Sequence, residues 1–125
     1  MSDAKKYKVL IADDEPNIVL SLEFLMKKDG FEVMLAADGE MALQKADEFS
    51  PDLVLLDVMM PKKSGYEVCQ ALRASPVHAG VKIIMLTARG RESEVAKGLA
   101  LGADAYITKP FSTKELSAKI RAMLA

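Results

Sequence analysis

Short apolar runs rich in Val, Ile and Leu alternate along this chain with longer segments whose apolar residues recur every three or four positions. That alternation predicts βαβ units around a parallel sheet, an α/β, doubly wound (βα)5 fold. Five strands are expected, at Tyr7–Ala12, Glu32–Ala36, Leu53–Leu56, Val81–Leu86 and Ala105–Thr108. Val9-Leu10-Ile11 and Leu53-Val54-Leu55-Leu56 show no polar alternation, so helices should cover both faces of those strands.

Five helices are expected between and after the strands. The first opens at Pro16, where proline suits an initial turn, and carries Ile18, Leu22, Leu25 and Met26 on one face. Gly30 should close it in a left-handed conformation. The second spans about Glu40–Phe49, before Ser50-Pro51, and the third about Tyr66–Ala74, before Pro76. The fourth covers about Glu92–Leu101 with Gly102 as its cap. The last starts with a capping-box pattern, Ser112-Thr113-Lys114-Glu115, and groups Leu116, Ile120, Met123 and Leu124.

Composition narrows the class. A chain of 125 residues makes one domain, 1–125, and half of its residues are apolar, enough for a packed core. No run approaches the roughly 18 apolar residues of a membrane span. The first six residues, Met-Ser-Asp-Ala-Lys-Lys, lack the apolar stretch of a secretory signal. The single cysteine, Cys69, cannot form an internal disulfide, so a cytoplasmic protein is expected. A formal charge of −1 argues against direct nucleic-acid binding by this domain.

The chemistry gathers where the strands end. Asp13 and Asp14 follow the first strand, Asp57 the third, Thr87 the fourth and Lys109 the fifth. In an open parallel sheet these positions share the edge at which ligands bind, where strand order reverses. With the order 2-1-3-4-5 the reversal falls between strands one and three, and the three aspartates meet in one crevice. A lone aspartate after a strand is usually a solvated turn residue; five polar groups at four strand ends are another matter. Two carboxylates about 5 Å apart repel by roughly 3 kcal/mol at an effective dielectric near 20. Lys109 supplies one positive charge, so the cluster calls for a hard divalent cation. Mg²⁺ suits an all-oxygen site that leaves room for water and phosphate oxygens, with Mn²⁺ as its substitute. No Cys/His ligand set supports structural zinc. A carboxylate, a metal, an ammonium and a hydroxyl are also the parts that phosphoryl transfer to an aspartate requires.

These residues stand within longer matches: Asp13-Asp14, Leu55-Leu56-Asp57-Val58-Met59-Met60-Pro61 with Gly65, Leu86-Thr87-Ala88, and Gly102-Ala103-Asp104-Ala105-Tyr106-Ile107-Thr108-Lys109-Pro110-Phe111. In this order and spacing the chain resembles the receiver domain of two-component response regulators over essentially its whole length. The resemblance implies a flavodoxin/CheY-like sheet of order 2-1-3-4-5. It implies a phosphorylation-activated signalling switch rather than an enzyme acting on a separate substrate. Asp57 would accept the phosphoryl group from a histidine kinase or histidine phosphotransfer protein. Asp13, Asp14, Asp57 and the Met59 carbonyl would hold the metal. Thr87, Lys109 and the Ala88 amide would hold the phosphoryl oxygens, while Thr87 and Tyr106 act as the switch. Met59 and Arg89 would tune the phosphoryl lifetime, and the Lys109–Pro110 peptide bond would be cis.

The resemblance also implies an output face on the fourth helix, fifth strand and fifth helix. In one large branch of the family that face forms a homodimer on phosphorylation. Lys97, Asp104, Glu115 and Lys119 carry the matching charge signs, although Ala105 and Lys119 replace that branch's usual Asp and Arg. A solvated charged face is the competing reading. The receiver could work alone by docking a downstream protein, or it could belong to a longer regulator with an output domain.

Several residues carry less. Tyr106, read without the resemblance, is a half-buried edge-strand aromatic. His78 lies in a Pro-Val-His-Ala-Gly loop without an acidic neighbour and is expected to be an exposed bystander. Cys69 is expected to be a small apolar filler. Among rival functions, a haloacid-dehalogenase-type phosphohydrolase would need an acid/base aspartate two positions after its nucleophile, where Met59 stands. A flavodoxin would need a Ser/Thr/Gly-rich phosphate loop where Asp13-Asp14-Glu15-Pro16 stands. A receiver serving only as a docking module would not need its complete set of site residues.

Overall fold

A computed structural model describes residues 6–88 and 92–124. Its elements run β1 (Lys8–Ala12), α1 (Pro16–Lys28), β2 (Glu32–Ala36), α2 (Gly39–Phe49), β3 (Leu53–Asp57), α3 (Gly65–Ala74), a 3-10 turn (Pro76–His78), β4 (Lys82–Ala88), α4 (Glu92–Ala100), β5 (Ala105–Lys109) and α5 (Thr113–Leu124). The five strands form one parallel sheet in the order β2-β1-β3-β4-β5.

Side chains alternate across each strand, and the two resulting sets are both apolar. Val9, Ile11, Leu53, Leu55, Ile84, Leu86 and Ile107 face Leu22 and Met26 of α1 and Leu116 and Ile120 of α5. Leu10, Ala12, Val54, Leu56, Ile83 and Met85 face Ala42 and Ala46 of α2 and Val68, Cys69 and Leu72 of α3. This is why the first and third strands show no polar alternation: every residue of β3 is buried. Cys69 is the apolar filler expected from the sequence, fully buried within the second of these clusters.

Helix ends follow the local chemistry. Gly30 takes φ +91° and lets the Phe31 amide reach back to the Met26 carbonyl at 3.0 Å, closing α1. Gly102 takes φ +113° after α4. The reciprocal capping box sits on α3: Ser64 Oγ accepts from the Glu67 amide and the Glu67 side chain accepts from the Ser64 amide. It starts that helix one residue before the expected Tyr66. At α5 the Glu115 amide donates to Ser112 Oγ at 3.3 Å. The strands β3, β4 and β5 each run one or two residues past the expected ends, so Asp57 and Lys109 are final strand residues and Thr87 lies inside β4.

His78 departs from expectation. It is buried at 5% exposure, and its Nε2 stands 2.8 Å from Asp47 Oδ1. Asp47 lies on α2, 31 residues earlier, so the acidic neighbour is supplied by tertiary packing and is invisible along the loop.

Candidate functional site

The sheet register sets Asp57 beside Leu86, Thr87 beside Thr108 and Ala88 beside Lys109. β4 and β5 therefore finish level, two residues beyond the end of β3 at Asp57. Asp13 extends the end of β1, its amide donating to the Ala36 carbonyl of β2 at 3.1 Å. The reversal of strand order brings β1 against β3, and one oxygen from each of Asp13, Asp14 and Asp57 falls within 4.8 Å of the other two. Two glycines allow the surrounding loops to close on this point. A Cβ on Gly65 would lie 2.2 Å from the Asp57 carbonyl oxygen, so only glycine lets α3 begin against the end of β3. A Cβ on Gly39 would likewise meet the Lys63 carbonyl oxygen at 2.0 Å, where α2 abuts the loop after Asp57.

Lys109 ties the acidic groups together. Its Nζ lies 2.9 Å from Asp13 Oδ2, 2.9 Å from Glu15 Oε1 and 3.4 Å from Asp57 Oδ1. Asp13 Oδ1 accepts from the Glu15 amide at 2.9 Å, and Asp57 Oδ1 accepts weakly from the Met59 amide at 3.4 Å. One ammonium does not neutralise this cluster. Burial, followed by the charge of Asp13, pushes the Asp57 carboxyl up to about 7, against the opposing pull of Lys109. Burial disfavours the charged Lys109, but Asp13, Glu15 and Asp57 more than offset that and hold its ammonium above the ordinary lysine range.

The arrangement fits a hard divalent cation. The donors are all carboxylate oxygens, and among the described residues buried Asp13 Oδ2 has no partner other than the Lys109 ammonium at 2.9 Å. Beside the cluster lies a cleft of about 310 Å³ lined by Asp57, Met59, Thr87, Ala88 and Lys109, with Glu15 and Glu94 on its walls. This is room for a tetrahedral anion and its water. Thr87 is buried and Met59 projects outward. The Lys109–Pro110 bond is cis, as the family resemblance implies. Arg89 lies outside the described residues.

Two residues at the site were not singled out from sequence. Glu15 continues the acidic run Asp13-Asp14 and could have been read from it. Glu94, on α4, carries no local signal and reaches the cleft through folding alone. Tyr106 is not in the cleft. It is exposed on β5 rather than half-buried, and its ring lies 5.9 Å from Lys119 Nζ. Of the expected dimer charges, Asp104 is engaged within the chain by Arg73 and the Ile83 amide, and Lys97 Nζ sits 4.5 Å over the Tyr66 ring. Glu115 and Lys119 line a groove on the β5–α5 face.

Comparison with known proteins agrees with this geometry. The family model for the response regulator receiver domain matches residues 9–121. The chain is 47% identical over 117 residues to the alkaline phosphatase synthesis transcriptional regulatory protein PhoP of Bacillus subtilis, covering 94% of this chain and 48% of that protein. It is 48% identical over 116 residues to the sensory transduction protein RegX3 of Mycobacterium tuberculosis, covering 93% and 50%. Thus the chain spans about half the length of the curated relatives it matches. Among solved structures, the chemotaxis response regulator CheY4 of Vibrio cholerae superposes with a TM-score of 0.89 at 32% identity, covering 95% of this chain and 99% of that one. The chain belongs to the response regulator receiver domain family, whose members are phosphorylation-activated signalling switches of two-component systems.

Proposed function

We propose that Asp57 is the phosphoacceptor of this receiver and that its donor is a histidine kinase or a histidine phosphotransfer protein. The observation that carries this reading is the buried Asp57 carboxylate, 3.4 Å from the Lys109 ammonium and within 4.8 Å of the Asp13 and Asp14 oxygens, at the wall of a cleft of phosphate size. In the transfer, a carboxylate oxygen of Asp57 bonds to phosphorus as the donor's N–P bond breaks, and the imidazole leaves with the bonding pair and takes up a proton. Water later attacks the phosphorus, releases inorganic phosphate and restores the carboxylate.

Asp13, Asp14, Asp57 and the Met59 carbonyl would hold Mg²⁺, or Mn²⁺ in its place. When bound, the ion supplies positive charge against the charge that builds on the phosphoryl oxygens. Lys109 contributes a fixed ammonium for one of those oxygens, and the Thr87 hydroxyl and Ala88 amide donate to others. Once Thr87 is drawn toward the phosphoryl group it vacates space inside the end of β4, and the outward ring of Tyr106 can follow it inward. That couples the site to the α4–β5–α5 face, through which we infer the signal leaves, to a downstream protein or an output domain. Lys97, Asp104, Glu115 and Lys119 on that face are candidates for a phosphorylation-dependent homodimer. We infer a cytoplasmic setting, in which a lone thiol such as Cys69 stays reduced.

Intact-mass measurement after exposure to acetyl phosphate with Mg²⁺ tests the assignment. One phosphoryl mass should appear, and it should be absent from Asp57→Asn and from samples without Mg²⁺. A gain that survives Asp57→Asn would overturn it.

A further inference from the structure

We propose that Glu15 is a positioning residue that holds Lys109 in a resting arrangement and must be displaced when the phosphoryl group arrives. The inference rests on the reading of Asp57 as the acceptor. An ammonium has three N–H donors. At Lys109 three carboxylates surround it, with Asp13 and Glu15 at 2.9 Å and Asp57 at 3.4 Å. A phosphoryl oxygen competes with all three for this ammonium, and the directed hydrogen bond it has to displace is the one to Glu15. Asp57 carries the incoming phosphoryl group itself. The Asp13 side chain is fully buried and held from its other oxygen by the Glu15 amide. The Glu15 side chain is 60% exposed, so water can take over its carboxylate at little cost.

The helix end gives an independent reason to assign Glu15 this task. Glu15 is the N-cap residue of α1, a position where shorter side chains such as Ser or Asp turn back to a free helix amide. Its side chain makes no such bond and reaches across to β5 instead, 94 residues away in sequence. Its backbone meanwhile is fixed at both ends, by its amide to Asp13 and by its carbonyl accepting from the Val19 amide at 3.0 Å. The carboxylate is therefore tethered beside Lys109 while remaining free to rotate into solvent. Glu15 thereby biases the site toward the unphosphorylated state.

Phosphorylation by acetyl phosphate with Mg²⁺, followed by intact mass, tests this in wild type, Glu15→Gln and Glu15→Asp. Glutamine removes the charge; aspartate keeps it but is one methylene too short to sit on Lys109. Both should phosphorylate about two- to fivefold faster than wild type, the range that an exposed ion pair accounts for. A purely structural contribution would have the opposite sign, since loosening the site slows the transfer. Acceleration in neither variant overturns the proposal, and acceleration in Glu15→Gln alone assigns the effect to bulk charge and also overturns it. Labelling of wild type that is lost in Asp57→Asn shows that the acceptor reading holds while Glu15 is judged. Failure of wild type to label removes both together.

Discussion

Arg73 Nη2 lies 2.7 Å from Asp104 Oδ2, joining α3 to the loop that leads into β5. The same guanidinium donates to the carbonyls of Gly102 at 2.8 Å and Val81 at 2.7 Å, and Asp104 Oδ2 also accepts from the Ile83 amide at 2.8 Å. One arginine thus fastens the entries to β4 and β5. The fork of donors that makes this possible is particular to arginine. Asp104→Ala should lower the stability of dilute, unphosphorylated protein by about 1–3 kcal/mol, since it removes the acceptor of the buried Ile83 amide and of one arm of the guanidinium. Urea unfolding at two protein concentrations checks this. A residue acting only across a dimer would leave the dilute monomer unchanged.

The raised Asp57 carboxyl makes a signed prediction about pH. Its native value of about 7 lies above the ordinary carboxylate value of about 3.9, so the native state binds its proton more tightly than the unfolded chain does. The stabilisation from this group is complete below about pH 4 and is lost as pH rises through 7, where Asp57 ionises beside Asp13. A divalent cation requires the ionised form, so its effect runs the other way. The gain in melting temperature on adding Mg²⁺ should be small at pH 5, grow through pH 7 and level off above it. Thermal melts with and without Mg²⁺ measure this, and an equal gain at pH 5 and pH 8 would contradict it.

Removing one charge from the cluster should release the same strain without metal. Asp13→Asn keeps the shape of the side chain but ends the repulsion that, after burial, raises Asp57. Metal-free Asp13→Asn should therefore be more stable than wild type at pH 8, by about 1–3 kcal/mol, despite losing the ion pair to Lys109. Its gain from added Mg²⁺ should shrink in parallel. Urea unfolding in chelator and in Mg²⁺ reads both; a loss of stability in chelator would mean that the Lys109 contact outweighs the repulsion.

What the sequence made legible follows from how local each signal is. The apolar runs of β1 and β3 announced two covered faces, and the strand-end positions of Asp13, Asp57, Thr87 and Lys109 announced a shared edge, because strand direction alone puts them there. Gly30 announced its own positive φ. The contacts that escaped are those made by packing between distant segments. Asp47 reaches His78 across 31 residues and Glu15 reaches Lys109 across 94, and no local pattern encodes either. Asp104 carries a charge sign that suits an interface, and nothing along the sequence shows that Arg73 binds it within the chain. Sign survives in a sequence; the partner does not.

Gly65 and Gly98 should respond very differently to alanine. A Cβ at Gly65 meets the Asp57 carbonyl oxygen at 2.2 Å and the Val58 Cα at 2.9 Å, both backbone atoms of the segment that carries the acceptor. At Gly98 the nearest atom is Met85 Cγ at 3.3 Å, part of a flexible side chain. Gly65→Ala should cost about 2–4 kcal/mol and slow phosphorylation by acetyl phosphate at least tenfold even where the protein remains folded. Gly98→Ala should stay within about 1 kcal/mol of wild type, helped by alanine's better helix propensity. Unfolding and mass-shift kinetics on the pair decide the matter, and equal behaviour of the two would contradict it.

His78 provides the last test, because it separates stability from chemistry. Its ring is buried in the turn that leads into β4, at the end of the sheet opposite Asp57, and its Nε2 bonds to Asp47 of α2. Asp47 is 78% exposed and can be rehydrated, so most of the loss on truncation comes from the ring's own burial. His78→Ala should therefore destabilise the domain by about 1–3 kcal/mol, and Asp47→Ala by less than about 1 kcal/mol. Neither should alter phosphorylation by acetyl phosphate more than about twofold below the melting range. Were His78→Ala to abolish phosphorylation in protein that circular dichroism shows to be folded, the ring would have a role at the site that its position does not explain.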